Sequence, residues 1–75
     1  MDTPLKLARR ARGVTQQVVA DHAGIVQAHY SRIENGEVAP SATIAANLAA
    51  FFDGALTEIQ ILYPERFIAE ESKVL

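Results

Sequence analysis

The 75-residue sequence has no cysteine and no long apolar run, and each absence narrows the classes of protein to consider. Without cysteine there is neither a disulfide nor a thiolate metal site. No apolar segment approaches the ~20 residues that a membrane-spanning helix needs. The N-terminal residues Met1 to Pro4 lack the basic and apolar regions of a signal peptide. We therefore expect a soluble cytoplasmic protein with no membrane partner, and the lack of cysteine fits that compartment.

Groups that carry catalysis or bind metal are equally scarce. The two histidines, His22 and His29, lie seven residues apart and have no convincing third ligand. The chain contains no plausible nucleophile–base set and no glycine-rich phosphate loop. A fold of this length also offers little room for a concave pocket. The sequence therefore predicts no metal, no cofactor and no enzymatic activity.

The chain is short enough that its size affects its stability. A domain of this length buries only about 60% of the surface that its unfolded chain exposes, so a single core is marginal. Small domains commonly gain stability from disulfides, a metal or a partner subunit. Since the first two are excluded here, we expect a homodimer.

The charges are distributed unevenly along the chain, although the net charge is only −2. Residues 1–36 carry five basic and three acidic residues, whereas residues 37–75 carry two basic and six acidic residues. This asymmetry is consistent with a basic face for a polyanion and an acidic end that lies away from it. Ordinary solvated surface would explain it equally well.

Turn residues divide the first half of the chain into short helical patterns. Pro4 suits the first turn of a helix that Gly13 ends as C-cap. Thr15 is a good N-cap for a second helix through about Ala23, which Gly24 closes.

Three further helices are expected beyond Gly24. The third begins near Val26 and runs to Asn35, and Ser41 is the N-cap of the fourth. The apolar stripe of the fourth helix consists of Ile44, Ala45, Leu48 and Phe52. A fifth helix covers roughly Ala55 to Tyr63 and places Leu56, Ile59 and Leu62 on one face. We thus predict an all-α five-helix bundle over residues 1–63, followed by a tail over 64–75 that is a candidate part of a dimer interface.

Residues 15–36 fit two helices that cross steeply over a tight turn. Such a crossing needs a small residue on the first helix, which Ala20 supplies. The turn needs a residue that tolerates positive φ, and Gly24 stands four positions later. With the apolar residues of this segment buried, the outward face of the third helix is polar and carries Gln27, Ala28, Ser31 and Arg32. Glutamine can pair with adenine and arginine with guanine in the major groove.

Several segments in this order make the chain resemble the lambda-repressor/Cro type of helix-turn-helix, the XRE family. The segments are Leu5–Arg9, Gly13–Gln16, Val19–Ala20, Gly24, Ser31–Gly36 and Pro40–Ser41. The resemblance covers about residues 3–62. It implies the lambda repressor-like fold and a transcriptional regulator that binds double-stranded DNA.

The resemblance also implies roles for individual residues. Gln27, Ala28 and Arg32 would face bases, with Ala28 limited to a thymine methyl or to close approach. Gln16 and Asn35 would bond phosphates, and Arg9 would pair with Glu34 as a structural ion pair. Arg12 and His29 are further candidates for contact with the DNA backbone.

The regulator would act as a dimer on an inverted repeat, as phage repressors and restriction-modification controllers do. We expect its interface to be formed by Leu56, Ile59, Leu62, Tyr63, Phe67 and Ile68. RNA polymerase is a further candidate partner. The alternative is an antitoxin-like protein that mainly binds a partner protein through its acidic C-terminal stretch.

The sequence departs from the family pattern at three sites, one of them a pair of residues. Val26 stands where the family usually has a small hydroxyl residue as N-cap of the recognition helix, and valine cannot cap. Tyr30 replaces an aliphatic residue, so its hydroxyl needs a buried partner or reaches the surface to touch a phosphate. Asp53 and Gly54 replace the usual glycine–aliphatic pair before the fifth helix.

Overall fold

The computed structural model describes residues 2–67, which fold into five α-helices and one short 3-10 helix without any strand. The elements are α1 (Pro4–Arg12), α2 (Gln16–Ala23), α3 (Gln27–Glu34), α4 (Ala42–Phe51), α5 (Glu58–Leu62) and the 3-10 helix Pro64–Arg66. The predicted all-α, five-helix architecture is confirmed. No helix within this part of the chain is both long and apolar enough to cross a membrane.

Side-chain caps fix where four of the helices begin. The hydroxyl oxygens of Thr3, Thr15 and Ser41 each accept a hydrogen bond from a backbone N–H in the first turn of α1, α2 and α4. Thr57 and Gln60 form a reciprocal capping box at the start of α5. The predicted caps Thr15 and Ser41 are therefore confirmed, since each satisfies an otherwise unpaired N–H group.

The glycines at the ends of α1 and α2 adopt the left-handed conformation that the sequence predicted for them. Gly13 has φ +74° and Gly24 has φ +79°. A β-carbon added at Gly24 would meet no other described atom within 4 Å. The backbone angle, and not a lack of space, is therefore what favours glycine in this turn.

The fifth helix is shorter than predicted. It begins at Glu58 instead of near Ala55, because a turn with positive φ at Asp53 and Gly54 precedes it and Thr57 caps it. It ends at Leu62, and Pro64 then opens the 3-10 helix.

One apolar core joins all five helices. α2 packs against both α3 and α4, and α4 packs against α5. The buried apolar residues are Leu5, Val19, Ala20, Ala23, Tyr30, Ile33, Ala45, Leu48, Phe52, Leu56 and Ile61. The predicted stripe of α4 is thus confirmed for its three buried members, while Ile44 is half-buried.

The core corrects the predicted interface face of the fifth helix. Leu56 precedes α5 and is only 3% exposed, so it packs inside its own protomer and the prediction that it forms an interface is wrong. Ile61 is the residue of α5 that points into the core. Ile59, Tyr63 and Phe67 are exposed, Leu62 is half-buried against the core, and Ile68 lies outside the described residues.

Candidate nucleic-acid interface

The helices α2 and α3 and the turn between them form a closely packed pair. Ala20 is fully buried in α2, which leaves room for α3 to approach. After Gly24 the chain is tied back to α2 by a hydrogen bond of 3.1 Å from the Ile25 N–H to the Ala20 carbonyl. The Gly24 N–H also donates to the Asp21 carbonyl at 3.2 Å. Backbone hydrogen bonds at Ala20 and Gly24, the two residues singled out in the sequence, therefore hold the turn.

The two faces of α3 differ sharply in burial. Tyr30, Ile33 and Glu34 are buried against the rest of the bundle. The exposed side chains of this helix and its C-cap are Gln27, Ala28, His29, Arg32 and Asn35. The three predicted base-reading residues and His29 are thus exposed side chains of one helix, and Asn35 is exposed at its C-terminal end.

A buried ion pair connects α3 to α1. The Nε of Arg9 donates to Oε2 of Glu34 at 2.9 Å, and these side chains are 17% and 0% exposed. Arg9 also donates from Nη1 to the Val14 carbonyl at 3.0 Å. The structure therefore brings together the two residues of the predicted pair, with most of their polar atoms satisfied.

Gln16 links this ion pair to the start of α3. Its Nε2 donates to Oε1 of Glu34 at 2.7 Å, and its Oε1 accepts a hydrogen bond of 3.3 Å from Nε2 of Gln27. The second N–H of the Gln16 amide is left for another acceptor. Gln27 is thereby oriented by a chain of side chains that begins at a fully buried carboxylate.

Arg32 is held only loosely. Its Nε lies 3.6 Å from Oε1 of Glu37, and both side chains are exposed. Surface ion pairs of this kind contribute little to stability. The guanidinium consequently keeps most of its donors for a partner outside the protein.

Arg12 makes a hydrogen bond within the protein, although its side chain is exposed. Its Nη1 donates to the Phe51 carbonyl at 2.7 Å, and its guanidinium lies 5.0 Å from the centre of the Phe51 ring. His22 packs on the same ring, with centroids 4.6 Å apart. A cation is favourable at the C-terminal end of α4, where helix carbonyls lack partners. The contact of Arg12 with the DNA backbone stays a prediction, because the exposed guanidinium keeps further N–H donors.

The structure meets neither of the two expectations for the Tyr30 hydroxyl. The side chain is fully buried, so the alternative in which its hydroxyl reaches a phosphate is wrong. The hydroxyl has no hydrogen-bond partner among residues 2–67. Burial, and then the nearby charge of Glu34, raise the pKa of Tyr30 well above its ordinary value.

Replacing Tyr30 by phenylalanine should therefore raise the free energy of unfolding by about 1 kcal/mol, because it removes a buried hydroxyl without a partner. The gain should widen above pH 10, the ordinary pKa of tyrosine, since the wild-type protein loses stability there as its unfolded state ionises. Urea unfolding at pH 7 and pH 10.5 would measure both effects. A loss of stability at pH 7 would contradict this account of the hydroxyl.

An open groove lies on a different part of the molecule, between α1 and the segment around α5. Its volume is about 750 Å³, larger than the sequence led us to expect. Its lining is mainly apolar and consists of Pro4, Leu7, Ala8, Ala11, Arg12, Phe52, Asp53, Ala55, Leu56, Gln60 and Phe67. It contains no nucleophile–base pair. Among the described residues, no three metal-ligating side chains come together.

Comparison with known proteins gives a match at the level of a protein family. A family model described as helix-turn-helix matches residues 5–59, which cover α1 from its second residue, all of α2 to α4, and the start of α5. No significant match was found among curated proteins or among solved structures.

Proposed function

The chain belongs to the Cro/C1-type helix-turn-helix family, the XRE family of DNA-binding transcriptional regulators, and we propose that it binds an inverted-repeat operator as a homodimer. The observation that carries the proposal is the outward face of α3, which is exposed and polar on a helix whose other face is tied into the core. In this motif the second helix lies in the major groove, with its N-terminal residues at the base edges.

The base contacts are assigned by chemistry. Arg32 has a largely free planar guanidinium, which suits O6 and N7 of guanine. Gln27 suits N6 and N7 of adenine, and its bond to Gln16 holds it in place before DNA arrives. Ala28 permits close approach of the helix. Each good bidentate contact discriminates against a wrong base by about 1–3 kcal/mol.

Contacts to the phosphates would set the register without reading sequence. Gln16 retains one N–H at the start of α2, and Asn35 is an exposed amide at the end of α3. His29 is exposed between them in sequence and is a third candidate. Gln16, which is bonded to Gln27, and Asn35 lie near the two ends of α3, and His29 lies between Ala28 and Arg32 in sequence.

The homodimer is proposed from exposed apolar side chains at the end of the described chain. Ile59 is 55% exposed, and Tyr63 and Phe67 are also exposed. A two-fold dimer that pairs these surfaces would present two copies of α3 to half-sites about 34 Å apart on one face of the duplex. Such a protein would regulate by occupying its operator, in the manner of a phage repressor or a restriction-modification controller, with RNA polymerase as a further partner and the cytoplasm as its compartment.

Selection of bound duplexes from a random pool tests the proposal. The wild-type protein, at moderate salt, should enrich an inverted repeat whose half-site centres lie about one helical turn apart. Enrichment of an unrepeated site would contradict the dimer. If no sequence were enriched, sequence-specific DNA binding would be wrong, and binding of a partner protein would become the leading function.

A further inference from the structure

Val26 breaks two local rules at once at the start of α3. It occupies the N-cap position, where serine, threonine, aspartate and asparagine are preferred, and it makes no side-chain cap hydrogen bond. It is also 69% exposed, more than any other large apolar residue in the described part of the chain. Departures from local rules are expected at functional or strained sites, and the backbone of Val26 is in the ordinary extended region.

The position of Val26 at the start of α3 indicates a role in contacting base edges. Its carbonyl accepts the Tyr30 N–H at 3.1 Å, so the residue is fixed to the first turn of α3. The next two residues, Gln27 and Ala28, are exposed on the same end of the helix. That end is the part of a recognition helix that meets base edges in the major groove. The apolar feature displayed there is the C5-methyl group of thymine.

We infer that Val26 is a specificity-determining residue that packs on the C5-methyl group of one thymine in each half-site. This inference rests on the proposed function and adds one base preference to it. An apolar side chain loses no hydrogen bond when DNA covers it, whereas a serine or asparagine at this position would have to give up water or its cap bond. Valine at this position leaves the helix without a side-chain cap, but it places an apolar surface beside Gln27 that can pack on a thymine methyl group.

Replacing each thymine of the selected operator by deoxyuridine tests the inference, because this change removes only the C5-methyl group. For the wild-type protein, the substitution should weaken binding at one thymine per half-site by about fourfold, the factor expected from burial of one methyl group. For Val26→Ser this penalty should vanish, and for Val26→Thr, which keeps one methyl group, it should be smaller than in the wild type.

Two controls distinguish a loss of thymine recognition from a loss of protein stability. Val26→Ser should be at least as resistant to urea as the wild type, because serine supplies the missing cap. Val18→Ser, at another exposed valine on α2, should keep the full deoxyuridine penalty. The inference is overturned if no deoxyuridine weakens wild-type binding, or if Val26→Ser retains the penalty. Failure to select any operator would instead refute the proposed function on which it rests.

Discussion

Replacing Glu34 by alanine should lower the free energy of unfolding by about 3–5 kcal/mol, a large share of the stability of a domain this small. The carboxylate is fully buried and receives hydrogen bonds from both Arg9 and Gln16. Its removal leaves the largely buried guanidinium of Arg9 without its partner charge. The loss of one member of a buried pair is far more damaging than the loss of both.

Urea unfolding followed by circular dichroism would measure this effect. The matched control is the double variant Arg9→Met, Glu34→Leu, which removes both charges and keeps similar volumes. It should recover most of the lost stability. A loss of less than 1 kcal/mol for Glu34→Ala would mean that the buried pair does not anchor α3 to α1. The double variant should still bind DNA less tightly, because Gln16 no longer has the acceptor that orients it toward Gln27.

Replacing Ile59 by aspartate should give a folded monomer that binds the full operator about 100-fold more weakly. Ile59 is more than half exposed, so a charge there does little harm to the protomer. In a dimer interface the same charge would be buried without a partner. A dimer gains affinity because binding of the first half-site raises the effective concentration for the second, typically by a factor of 10² to 10⁴.

Sedimentation and titration with one or two half-sites would measure both consequences. Binding to a single half-site should stay the same, since α3 is unchanged. Asn47→Asp adds the same charge to an exposed position on α4 and should remain dimeric. An Ile59→Asp protein that sediments as a dimer would place the interface elsewhere, and the open groove beside Phe67 would become the next surface to test.

Local signals explain why much of this fold was predictable from the sequence. Thr15 and Ser41 cap their helices, and Gly24 takes the positive φ, because each responds to neighbours only a few residues away. The outward face of α3 followed from the apolar spacing of Tyr30 and Ile33. Such features depend only on residues that lie within one or two helical turns along the sequence.

The parts that the sequence did not reveal depend on distant neighbours. Arg12 contacts Phe51, which lies 39 positions away, and nothing near Arg12 indicates that contact. Leu56 has the spacing of a helix face, but the turn at Asp53 and Gly54 delays α5 and directs Leu56 into the core. The bonds that Gln16 makes to Glu34 and Gln27 also span different helices. The contact of Arg12, the burial of Leu56 and the bonds of Gln16 therefore depend on tertiary packing, which local sequence patterns do not show.

The central claim is that α3 reads bases through Arg32, and the most direct test compares two arginine variants on the selected operator. Arg32→Ala should bind it about 10- to 100-fold more weakly and lose discrimination at one base pair per half-site. Arg10→Ala, an exposed arginine on α1, should at most weaken binding evenly across all operator variants. If Arg32→Ala instead ranked the operator variants as the wild type does, Arg32 would not read a base and the account of this helix would be wrong.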